Sequence, residues 1–375
     1  MEGAADEPNT KYIHVCKDLC CVTNETERRD IIANLSMQNY RPHGCLSRAL
    51  YDKEKADEWL EDYDKRRVSE WYRVDRRKFS EDLLNLWIPL GTGPDADLPD
   101  KAAKHFITRS TERSDSLSLQ AWHSLARSVL SWFITRTSIN GLLGRGSMHV
   151  FSSEQFQRLM NASGFMGPWH SLVDLGAGDG ATTAHVAYLF EKVYATDISL
   201  PMRWALARRK FTVLDAEKWH QEAGPFNVIL CLNLLDRCDR PNTMLSLLKA
   251  SLAPGGRLVV ALVLPFSPYV EVGERGNHKP LEDLPVRENG VEAQIIELVD
   301  RVFTPAGLRC LAWSKLPYLC EGDLGQAYYF LHDMIFVLEA QPIHLQPILP
   351  QPSQYTESEF AEVDDVLDDV SESDF

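Results

Sequence analysis

The sequence predicts an α/β fold built on a parallel sheet with helices on both faces, and three observations predict it. The run Ser171-Leu-Val-Asp-Leu-Gly-Ala-Gly-Asp-Gly180 is a short apolar strand that breaks into alternating glycines, Gly176, Gly178 and Gly180. Glycine lets a backbone turn sharply and lie directly against a ligand. From residue 171 onward, strand-length apolar runs alternate with helical stretches, the pattern of a sheet covered on both sides. Finally, Arg257-Leu-Val-Val-Ala-Leu-Val-Leu264 is apolar on both faces, as a central strand must be.

Ahead of that unit, residues 1–70 are mixed and charged, with a helix predicted from Ser47 to Asp64. A loop rich in Gly, Pro and Asp at 89–99 follows. Leu119, Trp122, Leu125, Val129 and Trp132 recur at three- and four-residue steps, which predicts an amphipathic helix over 119–135. The glycine-spaced segment 136–148 fits neither helix nor strand, and a further helix runs from Ser153 to Met160. Strands are predicted at 171–175, 192–196, 211–214, 226–232, 257–264, 307–315 and 329–338. Helices are predicted at 181–190, 199–209, 241–252 and 291–304. Ala253-Pro-Gly-Gly256 reads as a helix end leading into a strand.

A strand, a glycine turn and a helix N-terminus in that order build a nucleotide-type pocket. Gly176-Ala-Gly178-Asp-Gly-Ala181 also fits the dinucleotide pattern, so the glycines alone do not choose the cofactor. Asp174 and Asp179 help choose it, because a pyrophosphate is repelled by two carboxylates. The ammonium and sulfonium of S-adenosylmethionine are favoured there instead. Asp197 ends the next strand, where an acid takes ribose hydroxyls in both cofactor classes. The reading is S-adenosylmethionine, with NAD or a plain structural turn as alternatives.

Composition sets the remaining bounds. The chain has 375 residues, 44% hydrophobic, and a net charge of −15. Nine Asp or Glu and no Lys or Arg fall within 356–375, so the rest carries −6. That tail reads as solvated and disordered, and the preceding stretch 341–352 as a proline-rich linker. An acidic chain is a poor general binder of nucleic acid. No run approaches the length of a membrane span, and the N-terminus lacks a signal-peptide pattern. Eight scattered cysteines suit reduced thiols, so the expected setting is cytoplasmic or nuclear. Cys16, Cys20 and Cys21 cluster without a matching ligand pair, Cys45 and His43 being nearest, and no metal is expected.

Strand ends carry the chemistry in such sheets. Asn233 and Asp236 follow the 226–232 strand three residues apart, so on one helical turn they share a face. They can grip a substrate, or cap a helix by bonding backbone N–H groups. Tyr269, Tyr318 and Tyr329 either line a groove or pack. His149, His170 and His185 are isolated and read as ordinary core or surface residues. No nucleophilic serine or cysteine motif appears.

Several of these segments resemble the methyltransferase-like nine (DREV) family: Thr135–Met148, Leu175–Gly180, Cys231–Asp239, Ala261–Glu271 and Leu316–Asp323. The likeness runs from about Trp71 to Glu339. It implies a class I, Rossmann-like seven-stranded methyltransferase dependent on S-adenosylmethionine, to which this chain is expected to add an N-terminal helical extension unmatched in familiar members. It further implies methylation of the pros nitrogen (Nδ1) of protein histidines, preferentially in His-x-His sequences with a small middle residue. By position, Asp174, Gly176 and Gly178 match the residues for the methionine part and Asp197 that for the ribose, where the family often has glutamate. Arg145, Gly146 and Ser147 match part of a cofactor lid. Asn233 and Asp236 match the pair that grips the imidazole, Asn233 also bordering the cofactor. Tyr329 matches a tyrosine beside the target, while Tyr269 and Tyr318 sit in shared motifs with less defined roles. The expected organisation is an extension over 1–115, a methyltransferase domain over 116–340, and linker plus tail over 341–375. A monomer acting on His-x-His proteins is expected, with endomembrane association implied by relatives. A methyltransferase with another acceptor, or a cofactor-binding scaffold without turnover, are the alternatives. None of the eleven histidines of this chain forms a His-x-His.

Overall fold

A computed structural model describes residues 45–116 and 147–341, apart from 168, 271, 272, 274, 275 and 324. The expected helix over 119–135, Arg145 and Gly146, the cysteine cluster with His43, the linker beyond 341 and the acidic tail lie outside the described residues.

One eight-stranded sheet organises the chain, from β1 (Met148–His149), β2 (Ser171–Leu175), β3 (Lys192–Thr196), β4 (Thr212–Leu214) and β5 (Phe226–Leu232) to β6 (Leu252–Val263), β7 (Leu308–Glu321) and β8 (Tyr328–Ala340). Their order is β1-β7-β8-β6-β5-β2-β3-β4. β2 through β6 pair in parallel. β8 runs antiparallel to both β6 and β7. The all-parallel expectation is thus corrected at the last strand. The short connection between β7 and β8 permits only a hairpin, since a parallel return needs a long crossover. β1 is a two-residue addition antiparallel to the far end of β7.

The helices are α1 (Cys45–Arg66), α2 (Glu81–Asn85), α3 (Lys101–Asp115), α4 (Ser153–Ala162), α5 (Ala181–Ala184), α6 (Leu200–Arg208), α7 (Trp219–Glu222), α8 (Pro241–Ala250) and α9 (Val291–Glu297). α4 starts with a reciprocal cap, Ser152 accepting from the Gln155 N–H while the Gln155 side chain accepts from the Ser152 N–H. α9 continues as a π-helical turn, Leu298–Phe303. The helix expected over 181–190 is shorter. α5 has four residues and only a 3-10 turn, Ala187–Leu189, follows it. Two consecutive threonines favour helix weakly, and Thr183 gives its hydroxyl to Asp174. The positive end behind the glycine loop is therefore a single turn of backbone.

Both faces of the sheet are buried, as the apolar runs require. Val173, Ile229, Val260 and Phe336 face one cluster, packed with Leu245, Leu248 and Ile295 from the helices. Leu172, Leu230, Val259 and Ile335 face another, with Trp71, Phe156 and Leu159. Residues ahead of the glycine motif join this body directly. Trp313 of β7 is bonded on both sides by the 86–88 segment, its carbonyl accepting the Ile88 N–H and its N–H donating to the Leu86 carbonyl. α1 holds the β7–β8 hairpin, its Asp57 accepting from the Ala327 N–H at 2.7 Å and Asp64 from the Tyr328 hydroxyl at 2.7 Å. No helix among the described residues is long and apolar enough to cross a membrane.

Candidate active site

The glycine loop leaves β2 at the carboxyl edge of the sheet. Gly176, Gly178 and Gly180 all have positive φ, at 67°, 57° and 73°. The loop is tied to β3: Gly176 N–H donates to the Thr196 hydroxyl, Ala177 N–H to the Thr196 carbonyl, and Gly178 N–H to Asp197 Oδ2 at 3.0 Å. The three glycines do different jobs. A Cβ on Gly180 would fall 2.8 Å from Leu206 and 3.0 Å from Phe211, so this glycine answers to packing. Among the described residues, a Cβ on Gly178 would meet the Met148 methyl at 3.8 Å, an ordinary contact, so its left-handed φ rather than crowding calls for glycine. Gly180→Ala should therefore cost about 1–3 kcal/mol in thermal or denaturant unfolding, as overpacked sites do. Unfolding at the wild-type midpoint would refute that account.

Asp174 lies beneath the loop at 2% exposure and accepts the Thr183 hydroxyl at 2.6 Å. Burial, with Asp197 adding to it, pushes the Asp174 carboxyl up to about 7. Asp197 has one oxygen on the Gly178 N–H and the other on the Ser199 N–H, at 3.0 and 2.7 Å. Each carboxylate oxygen can accept a second bond, so ribose hydroxyls remain within its capacity. Asp179 serves differently from the sequence reading. Its side chain caps the Ala181 N–H and its oxygens meet Arg209. These bonds brace the loop and set the Asp179 carboxylate against a cation of the chain's own.

At the end of β5 the chain turns through Asn233, whose φ is 53°. Its N–H bonds the Ala261 carbonyl, and Arg237 and Cys238 N–H groups close one turn onto Leu234. The capping reading fails for Asn233, because its amide Nδ2 donates to Asp333 Oδ2 of β8 at 2.9 Å. Asp236 is 3% exposed and one of its oxygens faces Arg237 Nε at 3.1 Å. Asn233 Oδ1, Asp236 Oδ1 and Asp333 Oδ1 are buried and find no hydrogen-bond partner among the described residues. Such atoms are costly in a folded protein unless something else meets them. Burial raises Asp236 to about 6, Arg237 opposing it, and Asp333 to about 7, with Asp236 adding to the rise.

These shifts bear on stability. A carboxyl whose folded value is raised favours the fold while protonated, and that support is lost as pH climbs through the raised value. Buried His149 and His332 are lowered to about 4 and about 3, so they oppose this trend up to the unfolded value near 6.5. Above it the carboxyls prevail. Stability of the cofactor-free protein should fall by roughly 0.5–1 kcal/mol between pH 6.5 and 7.5, above which buried Lys315, lowered to about 8, opposes the trend. Melting curves rising over that interval would contradict the assignment.

Around this pair the tyrosines differ. The Tyr269 N–H donates to the Asp236 carbonyl, and its ring stacks on His278 with centroids 4.6 Å apart. The Tyr318 hydroxyl donates to the sulfur of Met148, the residue that overhangs Gly178. Burial raises Tyr318, and its neighbours include Asp236 and Asp333. Tyr329 donates to Asp323 at 2.9 Å in the β7–β8 hairpin. Ser147 is fixed by Glu321, whose N–H bonds the Ser147 carbonyl. Asn233, Asp236, Tyr318, Ser147 and the glycine loop thus lie along one edge of the sheet. Asp333, Thr183 and Met148 were missed in the sequence. Only Asp333 left a sign, an acid inside the apolar run Phe330–Leu338.

A sheet ordered β4-β3-β2-β5-β6-β8-β7 with β8 reversed, a glycine loop after β2 and an acid after β3 define a class I methyltransferase fold. A family model described as DREV methyltransferase matches residues 71–340. The chain belongs to the DREV methyltransferase family, and its methyl donor is S-adenosylmethionine. Solved structures similar to it include the N-methyltransferase NodS of Bradyrhizobium japonicum in complex with S-adenosyl-L-homocysteine, at 17% identity, 50% of this chain, 87% of that chain and a TM-score of 0.34. Another is the 1,6-didemethyltoxoflavin-N1-methyltransferase of Burkholderia thailandensis, at 18% identity, 66% and 93% coverage and a TM-score of 0.34.

The residues present fit this donor. The left-handed glycine loop, the buried Asp174 and the spare acceptor capacity of Asp197 suit a cationic amino acid joined to a ribose.

Proposed function

We propose that this methyltransferase acts on the pros nitrogen (Nδ1) of histidine in proteins, preferring His-x-His sequences with a small middle residue. The observation that carries the reading is the buried, unpaired Oδ1 of Asp236 at the end of β5. The motif resemblance supports the same acceptor. Asp174, Gly176 and Gly178 would hold the methionine part, Asp197 the ribose, and Ser147 with Arg145 and Gly146 the lid. When bound, S-adenosylmethionine supplies an electrophilic methyl group.

What remains for the protein is orientation and charge. Imidazole has a reference pKa near 6.5, so near neutrality the target is mostly uncharged and already nucleophilic. It needs no strong base. Asp236 Oδ1 accepting Nε2–H fixes the tautomer and leaves the Nδ1 lone pair free. The same carboxylate stabilises the positive charge the ring gains, and it is the nearest acceptor for the Nε2 proton released afterwards. Asn233 aligns the ring beside the donor, and Tyr269, Tyr318 and Tyr329 border the substrate. We assign residues 116–340 as the catalytic domain, 1–115 as an extension and 341–375 as linker and tail. The chain acts as a monomer on protein rather than nucleic acid, in the cytoplasm or nucleus or at endomembranes.

Labelled donor with His-x-His peptides and their single His→Ala variants tests this, followed by fragmentation to find the methyl. Incorporation on Nδ1 of one histidine is expected. Methyl on Nε2, on lysine, or equal labelling of the alanine peptides would overturn it.

A further inference from the structure

We propose that Asp333 is a positioning residue for methyl transfer, holding the Asn233 amide so that its carbonyl oxygen is the end left for the acceptor. This deepens the proposed function and rests on its reading of Asn233 and Asp236 as the acceptor's grip.

Asp333 is wholly buried, between His332 and Met334 in β8, opposite Val263 at the last position of β6. It meets Asn233 across 100 residues of sequence. Asn233 is held twice. Its N–H is bonded by Ala261 of β6, which sustains a left-handed conformation, and its Nδ2 is bonded by Asp333 of β8. An amide is planar, with its oxygen and nitrogen pointing apart, and without a partner the two ends can exchange. Fixing Nδ2 fixes Oδ1. That atom is buried without a partner, as is Asp236 Oδ1 on the adjoining turn.

The placement has a consequence for specificity. The Asn233 oxygen can only accept, as can Asp236 once ionised, and Asp333 stands behind them. A phenolate, carboxylate or phosphate would meet the Asp236 charge and the Asn233 oxygen. A group that brings N–H donors and becomes cationic would find both needs met. The site therefore selects nitrogen acceptors of the imidazole or amine class over anionic oxygen. Stability alone is a weak rival explanation: one oxygen of this buried carboxyl is bonded by Asn233, but the other is left without a partner, at a cost to the fold.

The test is a double-mutant cycle with Asp333→Leu, Asp333→Asn and Asn233→Ala, read as kcat, peptide KM, donor affinity by calorimetry and melting temperature. Asp333→Leu should lower kcat by about 10- to 100-fold, the scale of lost alignment. Peptide KM and donor affinity should stay within about threefold, and melting should shift by no more than a few degrees, because losing a buried carboxyl offsets the Asn233 donor left unpaired. Asp333→Asn keeps an acceptor oxygen and should recover most of the loss. In the Asn233→Ala background, Asp333→Leu should change kcat by less than about twofold, because the effect passes through Asn233. Equal losses in both backgrounds, or a loss of kcat matched by lowered melting, would overturn the proposal. The cycle is run on whichever acceptor the wild type methylates. A wild type active on some other residue would therefore refute the histidine reading and still leave the Asp333 result readable.

Discussion

Asp236→Asn is expected to lower turnover about 10²- to 10³-fold, or ~3–4 kcal/mol of transition-state stabilisation, with donor affinity near normal. The amide has the same shape, so the buried turn at Leu234–Cys238 should persist. What changes is charge and hydrogen-bond sense. A carboxylate can only accept, whereas an amide can turn a donor toward the ring and favour the wrong tautomer. On the proposed histidine acceptor it also could not balance the charge that the imidazole would gain. Arg237, half exposed, would lose its ion-pair partner, a minor effect at that exposure. The pH profile adds a second readout. Burial raises Asp236 to about 6, and only its ionised form stabilises the cationic ring. Wild-type kcat/KM should climb through pH 6 and then level, together with the substrate's own titration near 6.5. In the variant only the substrate limb should remain. Equal losses of turnover and donor affinity would mean that Asp236 is structural.

Where the sequence could be read, an apolar run ended at a residue with a stated physical job. β2, β3 and β5 were expected at 171–175, 192–196 and 226–232 and occupy those residues, each stopped by glycine, aspartate or asparagine. β6 was expected only from 257, because Ala253-Pro-Gly-Gly256 reads as a helix end. The pairing of Phe226 with Leu252 extends the strand backward past an irregular register. Strand direction was less legible. The reversal of β8 depends on a short connection, not on any feature of its apolar pattern. The site divides the same way. Asn233 and Asp236 are close in sequence and could be seen together. Asp333 could not be joined to them, since its partner follows β5, which β6 separates from β8, and only the sheet order brings the two together. Asp179 misled for the opposite reason: its local duties, a cap and an arginine contact, cannot be told from ligand binding by composition.

Asp174→Asn should separate binding from folding in the opposite way. The amide oxygen can still accept the Thr183 hydroxyl, so the turn into α5 keeps its anchor. The donor's ammonium would lose a charge-assisted partner worth about 1.5–3 kcal/mol, or a 10- to 100-fold weaker affinity. Because burial raises Asp174 to about 7, the free protein holds a proton there that a cation must displace. Wild-type affinity should therefore strengthen by up to about tenfold per pH unit below 7. It should level between 7 and 8, where the donor's own amino group, near 7.7–8.0, begins to lose its proton. The variant should show a flat profile below 7. Without donor at pH 8 it should melt above the wild type, having no buried charge to accommodate, yet gain less when donor is added. Calorimetry and melting at pH 6, 7 and 8 would decide it. Affinity equal to the wild type, or an unchanged pH slope in the variant, would show that the cation is held elsewhere.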